Sequence, residues 1–510
     1  MVSDISLNEA EDRLPVLPQG WVQATISDLI GKSGVFIDGD WVESKDQDPQ
    51  GDIRLIQLAD IGDGTFRDKS NRFLTSAKAA ELNCTFLKEN DVLTARMPDP
   101  LGRACIFPRI SQQCVTVVDV CIVRTGINSI DHHWLMYTIN SPKFRLKIDA
   151  LQSGSTRKRI SRGNLSKLVL PIPPLHEQHR IVTKIEELLT QLDAGVASLK
   201  KVQAQLKRYR QAVLKAAFEG RLTQEWREKH QTDDKHFLEY VEQNWEKYHK
   251  GKKFTKIDPS NLLPLPVGWL WSNFDQISQR VTVGHVGPMK EEYIDRGIPF
   301  LRSQNVRTNR FDPEGLKFIS PGFHIQIKKS TLFPNDIVVV RSGNVGVSCV
   351  IPEFLKEANC SDLVIVKQPY GILPSLGAYY MNSTALRLVN AKKVGVALTH
   401  FNTKSMAEMV VPLPPIEEQK FLLAEIERLF SIADEIEQTI TTSLCQSETL
   451  RHSILKRAFE GKLVPQDPND EPASILLERI KAEKARNAAE VKKGKTLQPK
   501  SPKRKIKNGN

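Results

Sequence analysis

The sequence predicts an α+β protein arranged as a pseudo-two-fold internal repeat. Two mixed, β-rich globular domains are joined and separated by two long α-helices that form an antiparallel coiled coil. Three observations carry this reading. First, Leu-Pro-Gln-Gly-Trp at 17–21 returns as Leu-Pro-Val-Gly-Trp at 265–269, Pro-Ile-Pro-Pro-Leu-His-Glu-Gln at 171–178 as Pro-Leu-Pro-Pro-Ile-Glu-Glu-Gln at 412–419, and Leu-Lys-Ala-Ala-Phe-Glu-Gly-Arg-Leu at 214–222 as Leu-Lys-Arg-Ala-Phe-Glu-Gly-Lys-Leu at 455–463. Second, residues 171–222 match 412–463 at 18 of 52 positions, with one constant offset of 241. Third, after each Pro-x-Pro-Pro the apolar period changes from two to three and a half. Self-similarity on this scale marks one structural unit written twice.

Residues 1–14 read as an amino-terminal extension. The first globular domain, 15–170, opens on the Pro-Gly-Trp turn and holds short Val/Ile/Leu runs broken by Asn-Asp, Pro and Gly, as in Val115–Arg124; this is strand chemistry. A helical spacer follows over 171–225. Its apolar stripe through Ile185, Leu188, Leu192, Leu199, Leu206 and Val213 has coiled-coil spacing. Proline before the helix and Glu177 in its first turn suit the amino-terminal end, and Gly220 suits the stop. The span 176–218 is about 64 Å long at 1.5 Å per residue. Residues 226–263 form a charged, partly helical linker. The second globular domain, 264–411, resembles the first in outline, with Phe86–Leu93 facing Leu332–Val338. The second spacer, 412–465, carries the matching stripe Ile426, Leu429, Ile436, Ile440 and Ile454 and ends at Gly461. Two matched stripes in one chain favour mutual pairing; with a domain between them, antiparallel closure places the domains at opposite ends of the spacer. Residues 466–510 read as helical, then as a basic disordered tail, Val491–Asn510.

Lys plus Arg number 72 against 60 for Asp plus Glu, a net charge of +12. This balance suggests a polyanionic partner, but its location matters. Residues 1–150 hold 16 basic and 21 acidic groups, and the last thirty residues hold 11 and 2. Most of the excess is therefore in the tail. Seven scattered cysteines without a C-x-x-C pair fit neither a disulfide framework nor a zinc site. His176-Glu-Gln-His179 is not H-E-x-x-H, and Glu417 and Lys420 replace its histidines in the second copy, so no metal site is expected. No phosphate-binding G-x-x-x-x-G-K-[ST] loop or G-x-G-x-x-G occurs, and no tetrad of the kind that amino-methyltransferases use to hold a base. The chain is expected to be non-enzymatic. Without a signal segment or the roughly 18 apolar residues needed to span a bilayer, it is also expected to be cytoplasmic.

The order of motifs resembles the specificity subunit of type I restriction-modification systems. Each Pro-x-Gly-Trp domain is followed by a Pro-x-Pro-Pro-Leu/Ile-x-Glu-Gln helix that ends in Ala-Phe-Glu-Gly-x-Leu, and the resemblance covers about residues 15–465. It implies that each globular part is a target recognition domain reading one half of a bipartite, asymmetric DNA sequence. The paired helices would fix the half-site spacing and dock two methyltransferase (modification) subunits, with motor-nuclease (restriction) subunits joining to cut unmodified double-stranded DNA. Adenine methyltransferase and ATP-dependent endonuclease activities, with S-adenosylmethionine, ATP and Mg²⁺, would belong to those partners, and this chain would hold no cofactor. The competing readings are an enzyme with an unseen site, a coiled-coil scaffold whose domains bind proteins, and a stand-alone DNA-binding protein of another defence system.

The candidate DNA contacts in the first domain are Arg96 at a strand end and the glycine-started basic loop with Ser155, Thr156, Arg157, Lys158 and Arg159. Hydroxyls suit phosphate, and arginine suits guanine. In the second domain they are Arg341, Ser342 and Asn344, aligned with Arg96, and His400 and Asn402 in the less basic loop aligned with 154–161. Trp21 and Trp269 read as packing anchors.

Overall fold

The computed structural model describes residues 17–31, 33–126, 129–154, 157–230, 234–385 and 402–496. The chain divides into two compact units, one of residues 1–197 with 444–510 and the other of 198–443. The first unit thus takes in the end of the second long helix and the C-terminal helix, whereas the second takes in the end of the first long helix and the stretch after it.

In the first unit, β1 (Val22–Thr25) and β9 (Val169–Ile172) pair antiparallel, so the strand after Trp21 lies against the strand before Pro173-Pro174. Between them, β2 (Val35–Asp38), β8 (Val120–Arg124), β5 (Val92–Ala95) and β6 (Ala104–Ile106) form an antiparallel sheet in the order β2-β8-β5-β6. A smaller sheet places β3 (Ile53–Ile56) between β4 (Phe73–Leu74), antiparallel, and β7 (Cys114–Thr116), parallel. The continuous apolar run Val120–Val123 is fully buried, which suits a strand covered on both faces.

The second unit repeats this plan. Here β10 (Leu270–Asn273) pairs with β21 (Val410–Leu413), and β11 (Ser278–Val283), β20 (Leu363–Pro369), β17 (Ile337–Val340) and β18 (Ser348–Val350) take the order β11-β20-β17-β18. In the small sheet, β13 (Ile298–Leu301) again has a parallel neighbour, β19 (Asn359–Cys360), and an antiparallel one, β16 (Lys317–Ile319), flanked by β12 (Tyr293–Ile294). A hairpin of β14 (Val306–Arg307) and β15 (Arg310–Phe311) stands where the first unit has a single bridge, Ile61 to Phe66. Each main sheet carries the same buried ion pair. Fully buried Asp91 accepts from the Arg124 Nε (2.6 Å), and fully buried Asp336 holds the Lys367 ammonium.

The long helices run over Leu175–Phe218 and Ile416–Phe459. In the first unit Arg451 pairs with Asp193, and in the second Arg210 pairs with Asp434 and with Glu437 (2.8 Å). Asp193 and Asp434 occupy one repeat position and Arg210 and Arg451 another. Antiparallel packing is what brings two positions to each other in exchange. Of the expected seam, Ile185, Leu206, Val213, Ile426, Ile440 and Ile454 are buried, and Leu188, Leu192, Leu199 and Leu429 are half-buried, because a two-helix pair covers only one side of each stripe. Ile436 departs from the expectation and is 40% exposed. The inward path runs from Ala433 through Glu437 to Ile440, since Glu437 turns in to meet Arg210.

Three repeated motifs converge at each junction. Pro18–Trp21 and Pro266–Trp269 are turns closed by a Trp N–H to Pro C=O bond, with Gly20 and Gly268 at φ +78° and +84°, as a type II turn requires. Each long helix ends in a Schellman cap on Gly220 (φ +72°) or Gly461 (φ +65°). A Cβ on Gly461 would lie 2.5 Å from Pro18 Cγ, and one on Gly220 would lie 2.3 Å from Pro266 Cγ. The Glu-Gln pair starts each helix. Gln178 donates to Pro173 O and accepts from Asp131 N, both at 2.9 Å. Gln419 donates to Pro414 O and Gly371 O (2.9 Å each) and accepts from Leu373 N (2.8 Å). Glu177 accepts from Trp21 Nε1 (3.0 Å), and Glu418 accepts from Thr223 Oγ1 and Arg227.

The segments expected as linker and tail contribute to the cores. Helix Asp234–Tyr248 buries Phe237, Val241 and Trp245 in the second unit; helix Ala473–Thr496 buries Ala473, Leu476, Leu477 and Ile480 in the first. The latter runs past Val491, so the start of the stretch expected as disordered is helical. Its sparse apolar residues sit at helical spacing, which the strongly charged composition masks.

His249, buried and stacked on Trp245 at 3.8 Å, is held below its ordinary value near 6.5, chiefly by burial. A depressed folded pKa means that the unfolded chain binds more protons in the window just below 6.5. The second unit should therefore lose stability as pH falls through that window, and His249→Phe should flatten the dependence. Urea midpoints at pH 7.5 and 5.5 measure both.

Candidate nucleic-acid interface

Arg96 continues from β5. Its guanidinium lies 2.8 Å from Asp38 Oδ1 and donates to Ile160 O (3.0 Å) and Val118 O (3.1 Å). Its backbone carbonyl accepts from Ile160 N (3.1 Å). Arg96 thus ties three chain segments together at the root of the basic loop, a positioning role that leaves little of its side chain for a ligand.

The loop itself is closed by mutual backbone bonds between Ser153 and Arg159 (2.8 and 2.9 Å). Gly154 sits at φ +93°, where a Cβ would lie 2.5 Å from Arg157 O. Arg157 and Lys158 are exposed, and the Arg159 side chain is half exposed, 3.5 Å from Asp119. Ser155 and Thr156 lie outside the described residues, as does His400. Asn402 is the N-cap of helix Thr403–Ala407, its Oδ1 accepting from Ser405 N (2.8 Å). Ser161, at the same repeat position, caps helix Arg162–Lys167 through Asn164 N (3.0 Å). Both side chains are engaged in capping the start of a helix.

In the second unit the turn between β17 and β18 carries the remaining candidates. Arg341 is half-buried with its N–H on Asp362 O (3.4 Å), Ser342 donates to Asp362 Oδ1 (3.1 Å), and Asn344 is exposed. Gly343 and Gly346 take φ +78° and +87° to shape the turn.

Beside that turn lies an element absent from the sequence-based candidates, the β14–β15 hairpin. Its exposed residues are Arg307, Thr308 and Arg310, with Asn309 at φ 57°. The legible signal was Thr-Asn between two short runs, a two-residue hairpin connection. Trp21 and Trp269 are buried anchors: Trp21 meets Trp134 edge-on at 5.6 Å, and the Arg227 guanidinium lies over Trp269 at 5.6 Å. Among the described residues no cluster of three or more His, Cys, Asp or Glu could hold a metal, and no helix is long and apolar enough to cross a membrane.

Two similar domains with unlike loops, each tied to a long helix, match known proteins. The family described as the type I restriction modification DNA specificity domain matches residues 18–208 and 286–446. The chain belongs to this family. It is 31% identical over 380 residues to the type I restriction enzyme EcoBI specificity subunit of Escherichia coli, covering 72% of this chain and 74% of that one. Identity to the EcoKI specificity subunit of E. coli strain K12 is 28% over 369 residues, covering 69% and 72%. The fold of this specificity-family chain is also that of a chain in a solved type I R-M system, with a TM-score of 0.66 and 16% identity over 88% of this chain and 99% of that one. The HsdS subunit from Thermoanaerobacter tengcongensis gives 0.54 and 16% over 88% and 98%.

Proposed function

We propose that this chain is the DNA-specificity subunit of a type I restriction-modification complex. Each globular domain reads one half of a bipartite, asymmetric target, and the paired helices set the half-site spacing and dock two methyltransferase subunits. The carrying observation is one sheet plan built twice with different residues at aligned sequence positions, basic at Arg157–Arg159 and without Lys, Arg, Asp or Glu in the aligned sequence just before Asn402. Identical loops would select a symmetric site; unlike loops on matched scaffolds select an asymmetric one. The chain itself is non-catalytic and resides with DNA in the cytoplasm. S-adenosylmethionine, ATP and Mg²⁺ act in the modification and motor-nuclease subunits.

The test is the host methylome with and without this chain: one interrupted motif should vanish on deletion, and an unchanged methylome sinks the proposal. In the assembled methyltransferase complex, the triple variant Arg157→Ala, Lys158→Ala, Arg159→Ala should weaken DNA binding at least tenfold near physiological salt. It should also reduce the slope of log K against log salt by about 2–3, one unit per lost phosphate contact. An unchanged slope removes the loop from the interface.

A further inference from the structure

The hairpin Val306–Phe311 is mounted on a clamp that both units share. In the second unit Asn382 meets the backbone of Ser348 twice, its Oδ1 accepting from Ser348 N (3.0 Å) and its Nδ2 donating to Ser348 O (2.8 Å). Ser348 O also accepts from Asn309 N (3.0 Å), and Asn382 Nδ2 reaches Asn309 Oδ1 (2.6 Å). In the first unit Asn140 meets Ala104 the same way, at 2.8 Å in both directions, and Ala104 O accepts from Gly64 N (2.9 Å). Asn309 and Gly64 are both left-handed, at φ 57° and +77°. One side-chain amide thus holds a strand end, and the strand end holds a hairpin tip.

What the two mounts carry differs. In the first unit Gly62 stands where a Cβ would lie 2.4 Å from Thr65 O, and Asp63 at the tip is bound by Arg145 (2.9 Å). In the second, the position matching Gly62 is Arg307 and that matching Thr65 is Arg310, both exposed. Arg307 is oriented by Asp312, whose Oδ2 accepts from its Nε at 3.0 Å while half of the side chain stays open to solvent. A rigid two-stranded ribbon fits the major groove, and an arginine held by a carboxylate is preset for two bonds to guanine.

We propose that the Val306–Phe311 hairpin is the base-reading element of the second domain, with Arg307 and Arg310 reading guanines in its half-site. This rests on the specificity-subunit reading above. The test uses the complete methyltransferase complex in its host, comparing methylomes for wild type, Arg307→Ala with Arg310→Ala, and Arg307→Lys with Arg310→Lys. Both double variants should keep one half of the motif intact and become degenerate at one or two G·C positions of the other half. Discrimination there should fall about tenfold or more, with an unchanged unfolding midpoint. An unaltered motif, or uniformly weaker methylation with no degenerate position, overturns the hairpin's role. A wild-type methylome with no motif dependent on this chain instead overturns the parent reading.

Discussion

Asp336→Ala is expected to cost the second unit about 3–5 kcal/mol, because it strands a buried ammonium. The Asp336 carboxylate is fully buried and accepts from Phe333 N (2.8 Å), Gln368 N (2.9 Å) and Gln368 Nε2 (3.0 Å) as well as from Lys367. Lys367 donates to Thr331 O (2.7 Å) and has no other carboxylate among its described partners. Removing the acid leaves a desolvated cation and several unpaired N–H groups. Denaturant unfolding of the full chain measures the loss. The double variant Asp336→Ala, Lys367→Met should recover a large part of it, since an apolar chain of similar volume needs no counter-charge. If the double variant is no better than the single, the stranded charge is not the cause.

Gln419→Leu is expected to cost about 2–4 kcal/mol despite keeping the side chain's shape. The amide links the turn before the second long helix to the start of helix Pro374–Tyr380 through three bonds, two of them buried and the third part-buried. Leucine leaves one N–H and two carbonyls without partners, at about 1–3 kcal/mol for each unsatisfied buried group, less what relaxation recovers. Unfolding of the second unit reports the stability, and Gln178→Leu should do the same in the first. A loss below about 1 kcal/mol in both variants refutes this account of the Glu-Gln motif.

Much of the architecture was legible because repetition is a sequence property. The Pro-x-Gly-Trp turns, the helix stripes and the glycine stops each follow from local chemistry, and their recurrence exposed the pseudo-two-fold. The site was far less legible. Arg96 and Arg341 look alike in an alignment, yet Arg96 is bound to Asp38 and two carbonyls. Asn402 looked like a loop contact and is a helix cap. The Arg307–Arg310 hairpin is marked in the sequence only by Thr308-Asn309, because two-residue strands carry almost no periodic signal.

By itself, the sequence determined the duplication, the long helices, their caps and the family, since each depends on residues close together in the chain or on a pattern copied whole. Only the tertiary structure decided which motifs meet. Gly461 packs on Pro18 and Gly220 on Pro266, Asn382 reaches Ser348, and the linker and tail helices complete the cores. Such contacts join residues tens to hundreds of positions apart, where shape and unsatisfied hydrogen bonds, rather than local propensity, choose the partner.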